Sequence, residues 1–274
     1  MRLYNHAAET AVDGFLTLDT FEVHSAALGV SRRVDVWIPP GFRARGPFRH
    51  PVLYLNDGQN LFDPARAFAG NTWTVAETAT RLVRLGRIAP LLIVGIDHGT
   101  QRRGSEYLPV PDHRNPFARE PLGKRYAEFV TRELMPVIAR RYSVAQGASH
   151  TGFGGSSYGA IAALYTSMLY PGVFGRLLLE SPSLYVGDGY LLRRARRTRR
   201  WPARVYLGVG TAETQRPDWN HETLVNVLQL ESTLRRAGLG QRRLRVAIEE
   251  GAAHTEGAWA ARLPAALEFL FGQG

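Results

Sequence analysis

From residue 51 to the C-terminus, short apolar runs alternate with segments of helical periodicity. The runs at residues 51–57 and 89–97 are almost continuously apolar. Runs of this kind, about four to eight residues long, are typical of parallel strands covered on both faces. Further runs lie at residues 175–181, 203–210 and 243–251. The segments between these runs carry apolar residues at helical spacing, for example at residues 126–142 and 221–238. The alternation predicts a mainly parallel twisted sheet with helices on both faces, an α/β fold.

The first part of the chain has a different pattern. Residues 18–29 and 31–40 read as strands, and in the second of them Val34, Val36 and Ile38 alternate with polar neighbours. Such alternation is typical of antiparallel strands with one solvated face. No internal repeat, low-complexity tract or long linker interrupts the chain. We therefore predict a single α/β domain over residues 1–274, with antiparallel N-terminal strands and no large cap domain.

Composition excludes several kinds of site. The chain contains no cysteine, which excludes disulfides, thiolate metal sites and a cysteine nucleophile. No apolar run approaches the ~18 residues that a membrane span needs. The N-terminus lacks the basic, then apolar, then small pattern of a signal peptide. These features predict a cytoplasmic protein without a membrane partner.

The basic residues are unevenly distributed. Lys and Arg total 34 against 24 Asp and Glu, and six of the arginines lie within residues 193–200. A basic run can bind phosphates, but it is more often a solvated helix face. Because no aromatic-interleaved or helix-turn-helix pattern accompanies the run, nucleic acid is an improbable partner. An alternative is that the run attracts an anionic substrate.

A nucleophile motif occurs at Gly155-Ser156-Ser157-Tyr158-Gly159, which fits G-x-S-x-G with Ser157 at its centre. The motif needs this spacing because its serine lies on a strained strand-to-helix turn, where the two glycines let the flanking backbones approach. Here it falls between a predicted strand and a predicted helix. Ser157 is therefore the candidate nucleophile.

A serine hydroxyl needs a base, and the base is oriented by an acid. His254 lies in the loop between the last predicted strand and the last predicted helix, and it is the only histidine after His221. In this fold class the acid follows the preceding strand. Glu213 is the first carboxylate there and Asp218 comes five residues later, so both remain open, with Glu213 preferred.

An ester hydrolase also needs two backbone N–H donors for the oxyanion. One candidate is the N–H of Tyr158, directly after the nucleophile. The other is the N–H of Gln59, in the loop after the strand at residues 51–57, where Gly58 permits a tight turn. The alternative is that this loop only begins a helix.

Several ordered blocks beyond these residues carry a family resemblance. They are Tyr54 to Asp63, Trp73, Val94 to Gly99, Arg103 with Glu106 and Tyr107, Gly155 to Gly159, Glu180 to Ser183, and Gly251 to His254. From about residue 30 to its end, the chain resembles the "putative esterase" family of α/β hydrolases. That family includes enterochelin esterases, feruloyl and acetylxylan esterases, S-formylglutathione hydrolases and the antigen 85 mycolyltransferases.

The resemblance implies Ser157 as nucleophile, His254 as base and Glu213 as acid, with an oxyanion hole from the amides of Gln59 and Tyr158. The chain departs from the common pattern in two places. Asn56 stands where many members carry His, and Tyr185 stands where an aromatic pair is frequent. Both departures concern the substrate rather than the mechanism.

Five other residues have both a functional and a structural interpretation. Asp57, and Asp97 with His98, could suggest a metal, but they are better explained as residues that organise loops beside the site. We therefore expect no metal and no cofactor. Trp73 and Tyr185 either line the acyl or alcohol pocket or belong to the core.

These observations predict a cofactor-free serine esterase with a Ser-His-Glu triad, which acts on a small-molecule carboxylic ester. The alternatives are an acyltransferase with the same triad, a siderophore-ester (enterochelin-type) esterase, a non-catalytic binding module on a hydrolase scaffold, and a nucleic-acid binder through residues 193–200. The sequence determines neither the physiological ester nor the oligomeric state.

Overall fold

A computed structural model describes residues 17–43 and 47–272. Within them, eight strands form one sheet in the spatial order β1-β2-β4-β3-β5-β6-β7-β8. The strands are β1 Thr17–Ser25, β2 Val30–Ile38, β3 Val52–Asn56, β4 Leu92–Ile96, β5 Thr151–Ser156, β6 Arg176–Glu180, β7 Arg204–Gly210 and β8 Leu244–Glu249. Residues 1–16, 44–46 and 273–274 of the predicted domain lie outside the described residues.

Among the eight strands of the described residues, β2 runs opposite to the other seven. β1 pairs antiparallel with β2, and β2 pairs antiparallel with β4. All pairings from β4 through β3 to β8 are parallel. Every residue of β3, β4 and β5 is buried, as their apolar runs require, whereas burial along the outer strand β1 alternates over its last five residues. The predicted fold class is therefore confirmed.

Helices cover both faces of this sheet. They are α1 Val75–Arg84, α2 Arg103–Tyr107, α3 Gly123–Glu128, α4 Met135–Arg141, α5 Tyr158–Leu169, α6 Val186–Ala195, α7 Pro217–Arg236 and α8 Glu256–Phe271. A π-helical turn at Phe129–Leu134 joins α3 to α4. α7 begins one turn before the helix predicted at residues 221–238, because Pro217 suits the first helical position, where no N–H donor is needed.

The core consists of two apolar layers, one on each face of the sheet. One layer contains side chains of α1 and α8, such as Leu82 and Leu267, packed against the sheet. The other contains side chains from α4, α5 and α7, among them Ile138, Ile161 and Leu230. Among the described residues, no helix has the length and apolar character that crossing a lipid bilayer requires.

The parallel strands bring distant loops to one edge of the sheet. β3, β5, β7 and β8 all point the same way, so the residues after their C-terminal ends lie along one edge. In α/β sheets, ligands bind at this edge. The loops that carry Gln59, Ser157, Glu213 and His254 all begin there.

Candidate active site

Ser157 lies on a sharp turn between β5 and α5. Its backbone angles are φ 54° and ψ −123°, which a residue with a side chain rarely adopts. The Ser157 N–H donates a 2.9 Å hydrogen bond to the carbonyl of Glu180 at the end of β6, which helps to hold the turn. Strain of this kind is found at functional sites where the surrounding structure enforces it.

The glycines of the motif allow close packing against the end of β3. A Cβ atom at Gly159 would lie 2.9 Å from Asp57 Oδ2, and one at Gly155 would lie 3.0 Å from Asn56 Cβ. Asn56 Nδ2 donates to the Gly159 carbonyl (2.7 Å), and Tyr126 donates its hydroxyl to Asn56 Oδ1 (2.5 Å). The unusual Asn56 thus ties β3 to the first turn of α5.

His254 and Glu213 form a close pair. His254 Nδ1 is 2.5 Å from Glu213 Oε2. The other carboxylate oxygen of Glu213 accepts hydrogen bonds from the Ser181 hydroxyl (2.7 Å) and the Gly210 N–H (2.6 Å). The side chain of Glu213 is 1% exposed, whereas that of His254 is 34% exposed. The pair therefore has a buried, fixed acid and a histidine that solvent reaches.

The surroundings of Glu213 favour its ionised form. Burial raises the pKa of this carboxyl, but the hydrogen bond and charge of His254 and the donors Ser181 and Gly210 together outweigh burial. The pKa of Glu213 therefore lies below its ordinary value. Glu213 is an anion at neutral pH and can accept the Nδ1–H of His254.

The alternative acid, Asp218, is elsewhere. It lies in the first turn of α7, its side chain is 63% exposed, and it pairs with Arg216 at 2.9 Å. The hydrogen bond from Arg216 lowers its pKa. The structure thus brings Glu213, and not Asp218, to His254.

Trp259 in α8 contacts this pair from one side. Its indole N–H donates to Ser181 Oγ (2.9 Å), and its ring stands edge-on to His254, with ring centroids 5.0 Å apart. Trp73, predicted to bind substrate or to belong to the core, is 2% exposed and packs behind Trp259 at 5.6 Å between ring centroids. Trp73 therefore supports the wall of the site and does not line it.

Two cavities meet at Ser157 and His254. The first measures about 280 Å³ and is lined by Asp57, Asn60, Phe68, His98, Arg103, Ser156, Ser157, His254, Glu256 and Trp259. The second measures about 270 Å³ and is lined by Arg114, Ser157, Tyr158, Ser181, Pro182, Ser183, Tyr185, Glu213, Thr214, Trp219, Thr223 and His254. Ser157 and His254 are the two residues that these cavities share.

The first cavity contains a buried ion pair. Arg103 contacts both carboxylate oxygens of Asp57, at 2.7 and 2.8 Å, and its guanidinium lies over the rings of Tyr107 and Tyr158. Burial lowers the pKa of His98, so its imidazole is mainly neutral at neutral pH. The predicted loop role of Asp57 agrees with these contacts, because Asp57 adopts φ 59° at the start of the turn that carries Gln59.

The second cavity has an aromatic and hydroxyl-rich wall. The hydroxyls of Tyr158 and Tyr185 both donate to Asp112 Oδ2, the latter at 3.2 Å. Arg114 lies over the rings of Tyr185 and Trp219, at 4.3 and 5.1 Å from their centroids. This wall presents the flat faces of aromatic rings and one cation close to Ser157.

The two predicted oxyanion donors follow the ends of two neighbouring strands, β5 and β3. Tyr158 is the first residue of α5, and Gln59 is the middle residue of a 3-10 turn, Gly58–Asn60, directly after β3. The side chain of Gln59 accepts a 3.2 Å hydrogen bond from the backbone N–H of His98. This contact ties the loop after β3 to the loop after β4.

Sequence reasoning missed several residues of this site. Ser183 Oγ lies 3.3 Å from Ser157 Oγ, and neither Asp112 nor Arg114 was assigned to the site. Ser181 and Ser183 belong to a block that carried the family resemblance, so a signal existed for them. Nothing in the local pattern marked Asp112. Among residues 17–43 and 47–272, no group of three or more His, Asp and Glu side chains is placed to hold a metal ion.

Sheet order, strand direction and a strained serine between β5 and α5 define an α/β hydrolase. The chain belongs to the family described as "Putative esterase", whose model matches residues 25–270. It is an ester hydrolase by that membership.

Three known proteins are similar to this chain in sequence or in structure. The chain is 25% identical over 250 residues to the protein YbbA of Bacillus subtilis, with 89% of this chain and 94% of YbbA covered. It superposes on the BES protein of Bacillus cereus with a TM-score of 0.75 at 16% identity, covering 98% of this chain and all of the other. It superposes on the siderophore hydrolase EstB of Aspergillus nidulans with a TM-score of 0.72 at 18% identity, covering 98% of each chain. At such identities the superpositions establish the fold alone.

Proposed function

We propose that this chain hydrolyses carboxylic esters through an acyl-enzyme on Ser157, with His254 as general base and Glu213 as the acid that orients it. The observation that carries the proposal is the 2.5 Å contact between His254 Nδ1 and Glu213 Oε2, next to the two cavities that Ser157 and His254 share. The ionised Glu213 accepts a hydrogen bond from the Nδ1–H of His254, so the unprotonated Nε2 can accept a proton from the Ser157 hydroxyl.

The reaction has two halves. Ser157 Oγ attacks the ester carbonyl carbon while His254 Nε2 takes its proton. The tetrahedral oxyanion accepts hydrogen bonds from the N–H groups of Gln59 and Tyr158. The C–O bond to the alcohol then breaks, and His254 returns the proton to the leaving oxygen. A water molecule next attacks the acyl carbonyl, its proton passes through His254 to Ser157 Oγ, and the carboxylic acid leaves.

The two cavities suit the two halves of an ester. An acyl group and an alcohol extend in opposite directions from the carbonyl carbon, and a cavity opens on either side of Ser157. Each is large enough for a modest organic group rather than a polymer. A small-molecule ester is therefore the proposed substrate.

Transfer of the acyl group to another alcohol is the first alternative, because it uses the same residues. The exposure of His254 favours hydrolysis, since water reaches the base directly. Product analysis with an added acceptor alcohol separates the two reactions. Formation of a new ester at the expense of free acid would favour the transferase.

An anionic, siderophore-type ester is the second alternative, and Arg114 favours it. Its ion pair with Glu222 is open to solvent, with side chains 39% and 37% exposed, and pairs of this kind are weak. A substrate anion could therefore compete for Arg114. Arg114→Gln should raise the KM for a catecholate ester more than the KM for a neutral ester. An equal effect on both KM values would argue against this substrate class. The arginines at residues 193–200 line neither cavity at Ser157.

Covalent labelling tests the central proposal. We expect 4-nitrophenyl acetate and butyrate to be hydrolysed by the wild type and an organofluorophosphonate to label Ser157, as located by mass spectrometry. Ser157→Ala should lower turnover by about 10⁴-fold or more. Ser183→Ala is the matched control, because the Ser183 hydroxyl lies 3.3 Å from that of Ser157 in the wild type. This variant should still be labelled on Ser157. Full activity of Ser157→Ala, or a label on Ser183, would overturn the mechanism.

A further inference from the structure

Residues 193–200 carry six arginines that lie close together along the chain. The six are Arg193, Arg194, Arg196, Arg197, Arg199 and Arg200. Ion pairs with carboxylates hold arginines in many other parts of the fold, for example Arg32 with Glu106 and Arg262 with Glu180. Among residues 17–43 and 47–272, no ion pair involves any of the six. The fold thus leaves this run of positive charge without a protein counter-ion in the described part of the chain.

Five of these arginines surround one cavity of about 560 Å³, here called the arginine cavity. Its lining consists of Met168, Pro171, Tyr190, Arg193, Arg194, Arg197, Thr198, Arg199 and Arg200. No aspartate, glutamate or histidine belongs to that set. The volume falls in the range of small-molecule sites. The remaining arginine, Arg196, lines a neighbouring cavity that also contains the carboxylates of Asp188 and Glu222.

Contacts with the fold hold three of the arginines in place. Arg194 lies over the ring of Tyr165, at 5.4 Å from its centroid. The guanidinium of Arg200 rests on Gly172, where an added Cβ would come within 2.8 Å of its Cζ. Arg193 donates a 2.9 Å hydrogen bond to the carbonyl of Gly187. These contacts orient part of the charge before any ligand binds.

Helix stabilisation accounts for only part of this cluster. Arg193 and Arg194 lie in the last turn of α6, where positive charge interacts favourably with the helix dipole. Arg197, Arg199 and Arg200 follow the end of α6 at Ala195, and the dipole effect falls off beyond the last turn. Gathering these like charges around one concavity is unfavourable unless an anion neutralises them. The helix alone therefore does not explain the cavity.

We propose that the arginine cavity binds a compact molecule with several anionic oxygens, of the organic-phosphate or polyphosphate class. Guanidinium groups match phosphate oxygens with paired hydrogen bonds, and five arginines line this cavity. Met168 and Tyr190 add apolar wall that can contact an organic part of the ligand. The cavity is partly open to solvent, and its volume of about 560 Å³ fits a compact anion rather than a nucleic-acid strand, which needs an extended groove.

This site is separate from the proposed ester chemistry. The arginine cavity shares no lining residue with either cavity at Ser157. Ligand binding and ester hydrolysis can therefore succeed or fail independently in an experiment.

Calorimetric titration of the whole protein with inorganic tripolyphosphate, and separately with ATP, tests the proposal. We expect one saturable site in the wild type and about tenfold or greater weakening in Arg197→Gln/Arg199→Gln, because hydrogen bonds to charged groups are lost. Both side chains are exposed, so the variant should fold normally. Arg242→Gln/Arg245→Gln removes the same charge from exposed positions outside the cavity and should change affinity less than about twofold, since only the screened net-charge effect remains.

Three outcomes would overturn the proposal. The first is no saturable binding of either probe, and the second is equal weakening in the two double variants, which would show a net-charge effect. The third is tighter binding of single-stranded DNA with increasing length, which would indicate an extended polyanion surface. Arg200→Gln provides a second, independent loss of affinity, and unchanged hydrolysis of 4-nitrophenyl acetate in all variants verifies that they fold.

Discussion

The indole N–H of Trp259 lies 2.9 Å from Ser181 Oγ, and the same hydroxyl donates at 2.7 Å to Glu213. Because the Trp259 ring also stands edge-on to His254, this one side chain contacts His254 directly and is linked to Glu213 through Ser181. α8 starts two residues after His254, so its first turns can bring Trp259 back to this pair. Trp259 and Ser181 are thus placed to position the acid and the base.

Ser181→Ala should lower kcat about tenfold with little change in KM, because Glu213 loses one donor but retains the Gly210 N–H. The Ser181 hydrogen bond lowers the pKa of Glu213. Its removal should therefore raise that pKa toward the ordinary value. Steady-state kinetics and an NMR titration of the Glu213 carboxyl measure the two effects. An unchanged carboxyl titration would contradict the positioning role.

Trp259→Phe should lower kcat less than Trp259→Ala, because phenylalanine keeps a ring against His254 while losing the N–H donor. Trp73→Phe is the control, since Trp73 packs behind Trp259 and does not line either cavity at Ser157. The kcat of this control should match that of the wild type. Equal losses in Trp73→Phe and Trp259→Phe would indicate a general packing effect instead.

Glu213→Gln should lower kcat/KM by about 10⁴-fold, because a neutral amide no longer selects the histidine tautomer that accepts the serine proton. Asp218→Asn should leave kcat/KM unchanged, since Asp218 is exposed and pairs with Arg216. Ester hydrolysis by both variants at neutral pH gives the comparison. A large loss in Asp218→Asn alone would reassign the acid.

Arg103→Gln should destabilise the protein by about 3 kcal/mol, because it leaves the carboxylate of Asp57 buried without its cation. The side chain of Asp57 is 6% exposed, so water compensates little. Urea unfolding of Arg103→Gln, Asp57→Asn and the double variant measures the coupling. The double variant should lose less stability than the two single variants together, and strict additivity would argue against a stabilising pair.

Glu180 should make stability fall as pH rises toward neutrality. Burial raises the pKa of Glu180 to about 7 despite the opposing charge of Arg262, compared with 4.5 for an ordinary Glu. Between these values the folded protein binds more protons than the unfolded chain. The stabilisation is therefore complete below pH 4.5 and is lost as pH rises through about 7.

Denaturation across that pH range tests this sign. Glu180→Gln cannot titrate at this position, so its free energy of unfolding should decline less with pH than that of the wild type. The difference in slope should approach about 1.4 kcal/mol per pH unit at most. Parallel pH curves for the two proteins would show that Glu180 keeps its charge in the folded state.

Much of the fold follows from local sequence patterns. The apolar runs are parallel strands buried on both faces, and the helix predicted after His254 is α8. The motif around Ser157 required a strained strand-to-helix turn, and the backbone of Ser157 adopts one. These features depend on neighbouring residues, whose periodicity and steric limits the sequence displays directly.

The choice between the two candidates for the proposed acid required more than the local sequence pattern. Glu213 and Asp218 both follow β7, and the sequence alone ranks them only by order along the chain. In the folded protein α7 begins at Pro217 and exposes Asp218 to solvent. Glu213 lies in the loop before α7, where it contacts His254. A helix start therefore separates two candidates that lie five residues apart.

The sequence by itself determined the alternation of strands and helices and the strained serine turn, through local periodicity and motif spacing. Only the tertiary structure joined Trp259 to Ser181, which are 78 positions apart, and set Met168 and Pro171 beside the arginines of residues 193–200. Such contacts arise when helices pack on opposite faces of a twisted sheet. Their distances depend on packing across the whole fold, which no local window of sequence contains.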